Sequence, residues 1–173
     1  MSTEAPAAHA ARVLVGPASM AVSANPDALL CTSPLGSCLG IAVYDPSIKV
    51  GGLLHTMLPA SKVNPKRAAQ RPGMFLDTGL SALLERVQNL HASAENLQFF
   101  VAGGAQVMDE TSGFDIARSN CDSLAHLLEQ LGFKIYAQCV GGRTNCSMEL
   151  TLGTGEVRLR YCGQPTAKSL CKR

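Results

Sequence analysis

Strand-length apolar runs outnumber helical stripes in this chain, and several follow one another with only a turn between them. Ala28-Leu29-Leu30-Cys31-Thr32 is one such run, consistent with a buried strand. Leu39 to Tyr44 is another, and it stops at the turn formers Asp45-Pro46-Ser47. Ile48 to Met57 follows, with Gly51-Gly52 marking a bulge or the close approach of another part of the chain. Leu97 to Ala102 is continuous and ends at Gly103-Gly104, the pattern of a central strand. Phe133, Ile135, Ala137 and Cys139 alternate with Lys134, Tyr136 and Gln138, which puts Cys139 on the apolar side of its strand. Met148, Leu150 and Leu152 alternate likewise, as do Val157, Leu159 and Tyr161. Gly153-Thr154-Gly155-Glu156 between those two runs predicts a β-hairpin.

Two stretches have helical spacing instead. Leu76, Leu80, Leu83, Leu84, Val87 and Leu90 predict an amphipathic helix over residues 74–90. Leu124, Leu127, Leu128 and Leu131 predict a second, with Ser119 or Asn120 capping its start and Gly132 ending it. Strands in the majority with a pair of helices make the class α+β, with helices covering stacked β-sheet. At 173 residues the chain reads as a single domain over 12–164, with a disordered leader at 1–11 and a flexible tail at 165–173.

Composition narrows the function. Fifteen Lys and Arg against thirteen Asp and Glu give a net charge of +2, too near balance for a nucleic-acid binder working through a broad basic face. No apolar stretch reaches the ~18 residues of a membrane span, and the first residues have no secretory pattern. A cytoplasmic protein with reduced thiols is therefore expected. The seven cysteines include no CxxC or CxxH pair, which argues against a zinc site. Cys171 is third from the end, so it is no prenylation site. One or two reactive thiols among several inert ones remain.

The densest candidate segment is Cys31-Thr32-Ser33-Pro34-Leu35-Gly36-Ser37-Cys38-Leu39-Gly40, a loop of Gly, Pro and hydroxyl residues between two apolar strands. Such a loop holds a thiol rigidly while leaving it accessible. Gly36 before Ser37-Cys38 allows a tight turn whose successive N–H groups would suit a developing oxyanion. On cysteine usage alone, a buried structural role for Cys38 is the commoner one. His55 changes the balance, because an imidazole on an apolar strand is either a satisfied core group or a base for a nearby thiol. If runs 39–44 and 48–57 pair as a hairpin, the start of one lies beside the end of the other, and Cys38 and His55 meet across seventeen positions. Thr32, ending the preceding strand, is placed to orient the imidazole. A redox pair of Cys38 with Cys31 is a further alternative. His9 falls in the leader, and His91 and His126 lie on or beside helices as expected surface residues.

These residues carry a resemblance. Thr32-x-x-Leu35-Gly36-Ser37-Cys38, then Gly51-Gly52-Leu53-Leu54-His55-x-Met57-Leu58-Pro59 and Gly103-Gly104-Ala105, resemble the CheD family of chemoreceptor glutamine deamidases. The resemblance runs from about residue 13 to 162. It implies a Cys-His-Thr triad at Cys38, His55 and Thr32. It also implies an αββ-type sandwich like that of the deamidating cytotoxic necrotizing factor toxins. The implied substrate is a glutamine on the helical bundle of a methyl-accepting chemotaxis receptor, and a packed helix ~10–12 Å across calls for an open, shallow site. A CheC-type phosphatase is the implied second partner, and no cofactor, metal, nucleic acid or membrane insertion is implied. An adaptor that binds receptor and CheC without catalysis is the alternative. The chain departs from the family pattern in lacking a lysine shortly before Gly103 and in having its methionine at Met108. The family's I-G-x-R-N stretch resembles Ile116-Ala117-Arg118-Ser119-Asn120, and Asn145-Cys146 stand where the family has Gly-Arg.

Overall fold

A computed structural model of the protein describes residues 11–106 and 115–170. Within them, two five-stranded sheets stack face to face, and helices cover the outer face of one. The first sheet contains β1 (Ala11–Val15), β3 (Ala28–Thr32), β8 (Cys146–Thr151), β9 (Glu156–Tyr161) and β10 (Lys168–Ser169), adjacent in that order. The second runs β2 (Ser19–Ser23), β5 (Val50–Thr56), β4 (Leu39–Asp45), β6 (Gln98–Gly103) and β7 (Ile135–Val140). Pairing is antiparallel except for β1 with β3 and β6 with β7. The helices are α1 (Pro65–Gln70), α2 (Leu76–Asn89) and α3 (Ile116–Leu131). This is the expected α+β class in the αββ layering.

Two apolar cores follow from strand alternation. Leu30, Ala42, Leu53, Phe100, Met148, Leu150, Val157 and Leu159 fill the space between the sheets. Ile41, Val43, Leu54, Phe99 and Val101 face the other way, against Leu76, Leu80, Leu83 and Val87 of α2 and Leu124 and Leu128 of α3. Burying a Leu or Phe side chain contributes roughly 1.5–3 kcal/mol, so each interlayer is a substantial hydrophobic seal. Gly51 and Gly52 are positions of close approach and not a bulge, since β4 and β5 pair without a register break. A Cβ on Gly52 would come within 2.7 Å of Leu83 and one on Gly51 within 2.9 Å of the Val43 carbonyl. The 74–90 helix is shorter than expected, because Pro72–Met74 form a separate 3-10 turn before α2.

Several sequence expectations need correction. Cys139 is exposed and not in the core. A register break pairs Phe99 with Ile135 but Phe100 with Ala137, so the extra residue, Tyr136, turns the strand over. Ile135 then packs toward the helices and Ala137 toward the other sheet, and Cys139 ends at the open edge, 3.0 Å from the Tyr161 hydroxyl. The helix cap is neither Ser119 nor Asn120 but Asp115, whose carboxylate accepts from the Arg118 N–H. Gly132 does end that helix, in the left-handed conformation (φ 75°). The C-terminal segment adds a short strand, with Lys168 opposite Leu159 and Ser169 opposite Arg158. Ala11, assigned to the leader, begins β1; residues 1–10, Met108 and Cys171 lie outside the described residues. No helix among the described residues is long and apolar enough to cross a membrane.

Candidate active site

The loop between β3 and β4 and the last residues of β5 meet at one end of the space between the sheets. In the β4–β5 ladder Gly40 pairs with His55 and Leu39 with Thr56. Residues directly opposite share a face, so His55 lies on the face of Gly40, and Cys38, two residues before Gly40, lies on that face too. Cys38 accordingly packs against the inter-sheet core, half-buried, while Leu39 belongs to the helix side. Cys38 and His55 thus stand at diagonal positions on one face, and no hydrogen bond joins them among the described residues. Gly40, the residue facing His55, carries no side chain. A Cβ there would meet Leu35 at 2.8 Å, so Leu35 closes the floor of the site.

His55 is 1% exposed. Its Nδ1 lies 3.3 Å from Ser33 Oγ, and the Val15 carbonyl is a second partner of the ring. Nε2 is buried without a hydrogen-bond partner. Burial pushes the imidazole below its ordinary pKa, and the Val15 carbonyl only partly offsets this. Burial likewise raises the Cys38 thiol, with its own backbone N–H opposing. Both shifts favour the neutral forms, a thiol at Cys38 and an imidazole at His55.

Thr32, 2% exposed, ends β3, and its hydroxyl accepts the Met148 N–H at 2.9 Å. No hydrogen bond joins Thr32 to His55 among the described residues; the hydroxyl on the ring belongs to its neighbour Ser33. Ser33 was not singled out by sequence, because nothing local distinguishes it from the other hydroxyl residues of the loop.

The turn before Cys38 is held by its carbonyls. Gly36 accepts from the Ala105 N–H at 2.8 Å, Ser37 from Asn120 Nδ2 at 3.0 Å, and Cys38 from the Gly104 N–H at 2.9 Å. With all three carbonyls engaged by the scaffold, the N–H groups of Gly36 and Ser37 make no backbone hydrogen bond among the described residues. The double glycine is required by this contact. A Cβ on Gly103 (φ +102°) would fall 2.2 Å from the Cys38 carbonyl oxygen, and one on Gly104 (φ +62°) 2.6 Å from Cys121 Sγ. Asn120, fully buried on α3, also donates to the Met57 carbonyl at 3.0 Å. It is the second residue that sequence reasoning missed, having been read as a helix cap.

Of the remaining thiols, Cys139, Cys146 and Cys162 lie near one another around Tyr161, where β7 and β9 come together. Cys31 and Cys146 are buried, Cys121 half-buried and Cys162 exposed. His91 and His126 are exposed. Among the described residues no group of three or more His, Cys, Asp and Glu side chains is placed to share a metal ion. A cavity of about 620 Å³ lined by Leu97, Gln98, Leu131, Phe133 and Tyr136 lies at the start of β6, whereas Cys38 lies beside its end. Neither Cys38 nor His55 lines that cavity; Cys38 is half-buried and His55 is buried.

A family model described as CheD, chemotactic sensory transduction, matches residues 57–161. The chain is 37% identical over 153 residues to a protein of Solibacter usitatus named "Probable chemoreceptor glutamine deamidase CheD", covering 88% of this chain and 90% of that one. It is 33% identical over 150 residues to the "Chemoreceptor glutamine deamidase CheD" of Thermotoga maritima, covering 87% and 92%. A Pyrococcus abyssi relative is 38% identical over 136 residues, covering 78% and 82%. The family model begins just after His55, but an alignment spanning 88% of a 173-residue chain necessarily includes Thr32, Cys38 and His55. With a family model covering more than half of it and relatives of one kind matched over most of their own length, the chain belongs to the CheD family.

Proposed function

We propose that this protein is a cysteine-dependent amidohydrolase that converts glutamine side chains of methyl-accepting chemotaxis receptors to glutamate. The observation that carries the reading is the diagonal placement of Cys38 and His55 on one face, with the turn before Cys38 pinned by its carbonyls. The names of the relatives supply the substrate class.

In the first step His55 Nε2, the ring nitrogen without a partner, takes the Cys38 proton as the sulfur attacks the carboxamide carbon. The oxyanion that forms is met by the N–H groups of Gly36 and Ser37. Protonated His55 then donates to the departing nitrogen, releasing ammonia and leaving a thioester on Cys38. Water, deprotonated by His55, attacks the thioester carbonyl; the thiol leaves with the proton, and the product is glutamate. Thr32 acts by fixing the end of β3 through Met148, so that the adjoining Ser33 meets the ring at Nδ1. A half-buried thiol outside any deep cavity suits a packed helical substrate about 10–12 Å across, in a protein of the same compartment as the receptor's signalling bundle.

The test is incubation with cognate receptor cytoplasmic fragments. We expect a gain of about 1 Da at each modified glutamine, the difference between carboxamide and carboxylate, and no gain with Cys38→Ala. No gain with the wild type on any cognate receptor would sink the reading and leave the role of an adaptor binding receptor and CheC-type phosphatase.

A further inference from the structure

We infer that Asn120 is a positioning residue of this site, a side-chain clip that holds Cys38 in register with His55. The β4–β5 ladder ends with the pair Leu39–Thr56. Beyond that pair the two chains no longer pair, and the carbonyls of Ser37, two residues before Leu39, and Met57, one after Thr56, have no strand partner in each other. Asn120 reaches this fork from α3, in the helix layer, and its Nδ2 donates one hydrogen to each carbonyl at 3.0 Å. A carboxamide nitrogen carries two hydrogens, so this single group ties both ends. One anchor is adjacent to the proposed nucleophile and the other is two residues past the proposed base.

The orientation of the amide is fixed by its contacts. Turning it over would set Oδ1 against two carbonyl oxygens, so Nδ2 must face the fork. Oδ1 is then left buried without a partner, a destabilising arrangement that persists because the two donations leave no alternative. Asn120 is fully buried and inside α3, so it meets no solvent and does not cap the helix. It touches neither reacting atom in this arrangement. Its effect is on the distance between Cys38 and His55, where a displacement of about 1 Å can cost two orders of magnitude in rate.

The inference rests on Cys38 and His55 being the reacting pair, and the experiment separates the two. Asn120→Leu removes both donors at similar length, Asn120→Ser keeps a small hydroxyl, and Tyr44→Phe removes an unrelated buried hydrogen bond to the Leu152 carbonyl as a stability control. Full-length proteins are compared for receptor deamidation, thermal unfolding and the pH profile of Cys38 alkylation by iodoacetamide. For Asn120→Leu the expected result is kcat lower by about ten-fold or more with KM little changed, and an alkylation profile moved to lower pH as the loosened thiol meets water. Asn120→Ser should fall between, and Tyr44→Phe should unfold at lower temperature with kcat and alkylation unchanged. An Asn120→Leu enzyme that loses only thermal stability, with kcat and profile intact, overturns the inference, as does failure of both Asn120 variants to fold while Tyr44→Phe folds. Retained deamidation in Cys38→Ala overturns the functional reading instead, whatever the Asn120 variants do.

Discussion

Ser33 Oγ sits 3.3 Å from His55 Nδ1, while the hydroxyl of Thr32, one residue earlier, is taken by the Met148 amide. The two hydroxyls therefore support the site by different routes, and substitution separates them. Ser33→Ala should reduce kcat by roughly 2–10-fold, the equivalent of a net hydrogen bond of about 0.5–1.5 kcal/mol, with thermal stability close to wild type. Thr32→Val strands a buried N–H and should lower stability by about 1–3 kcal/mol in chemical denaturation. Equal kcat in Ser33→Ala and wild type would mean that Val15 and packing alone hold the ring.

Neutral forms of both groups at rest set the pH dependence of the thiol. Because burial raises Cys38, its alkylation by iodoacetamide should climb steadily through pH 9, with no plateau near neutrality. A plateau beginning near pH 6 would reveal a preformed thiolate–imidazolium pair and contradict the neutral-pair mechanism.

His55 also ties stability to pH. Its folded pKa lies below the ordinary value of 6.5, so below that pH the unfolded chain takes up a proton that the folded one refuses. Stability should be level above about pH 6.5 and fall as the pH drops toward the folded pKa. One such group contributes a slope of at most about 1.4 kcal/mol per pH unit. Urea titrations at a series of pH values should show this decline in the wild type and a flatter curve in His55→Gln. Parallel curves would assign the acid sensitivity to other groups.

Gly103 is the glycine whose replacement should be least tolerated. Alanine there meets both a positive φ and the Cys38 carbonyl at 2.2 Å. Gly103→Ala should cost at least about 2 kcal/mol and abolish most deamidation by displacing Cys38. Gly132→Ala, with a positive φ but nothing within 4 Å, serves as the comparison. It should lose about 1 kcal/mol of stability and keep its activity.

The strands of the interior were readable because their apolar runs are continuous: Ala28 to Thr32 and Leu39 to Tyr44 coincide with β3 and β4 within a residue. The hairpin joining Cys38's strand to His55's was readable for the same reason, with turn formers between two such runs. Edge elements were less legible. In β1 Val13 and Leu14 are exposed, and β2 is half-buried throughout, so neither has the contrast between faces that marks a strand. Tyr136 shows a second limit, since a bulge reverses the facing of everything after it while the sequence keeps alternating. Asn120 shows a third. A polar residue early in a helix reads as a cap, and only contacts 83 and 63 residues away reveal that it faces inward.

The clip at the fork also orders events in time. Ser37 and Asn120 are 83 residues apart, so at a synthesis rate of about 5–20 residues per second the thiol is made roughly 4–16 s before the group that fixes it. Through that interval Gly104 and its neighbours, which hold the other carbonyls of the turn, are also unmade for most of the time. The nascent chain thus carries Cys38 as an ordinary cysteine, without an aligned base or a formed oxyanion turn. On the proposed reading, competence to deamidate arrives only once α3 and the later strands β8 to β10 are in place, whereas the unfolded thiol, free of the burial that raises its pKa, stays open to simple alkylation.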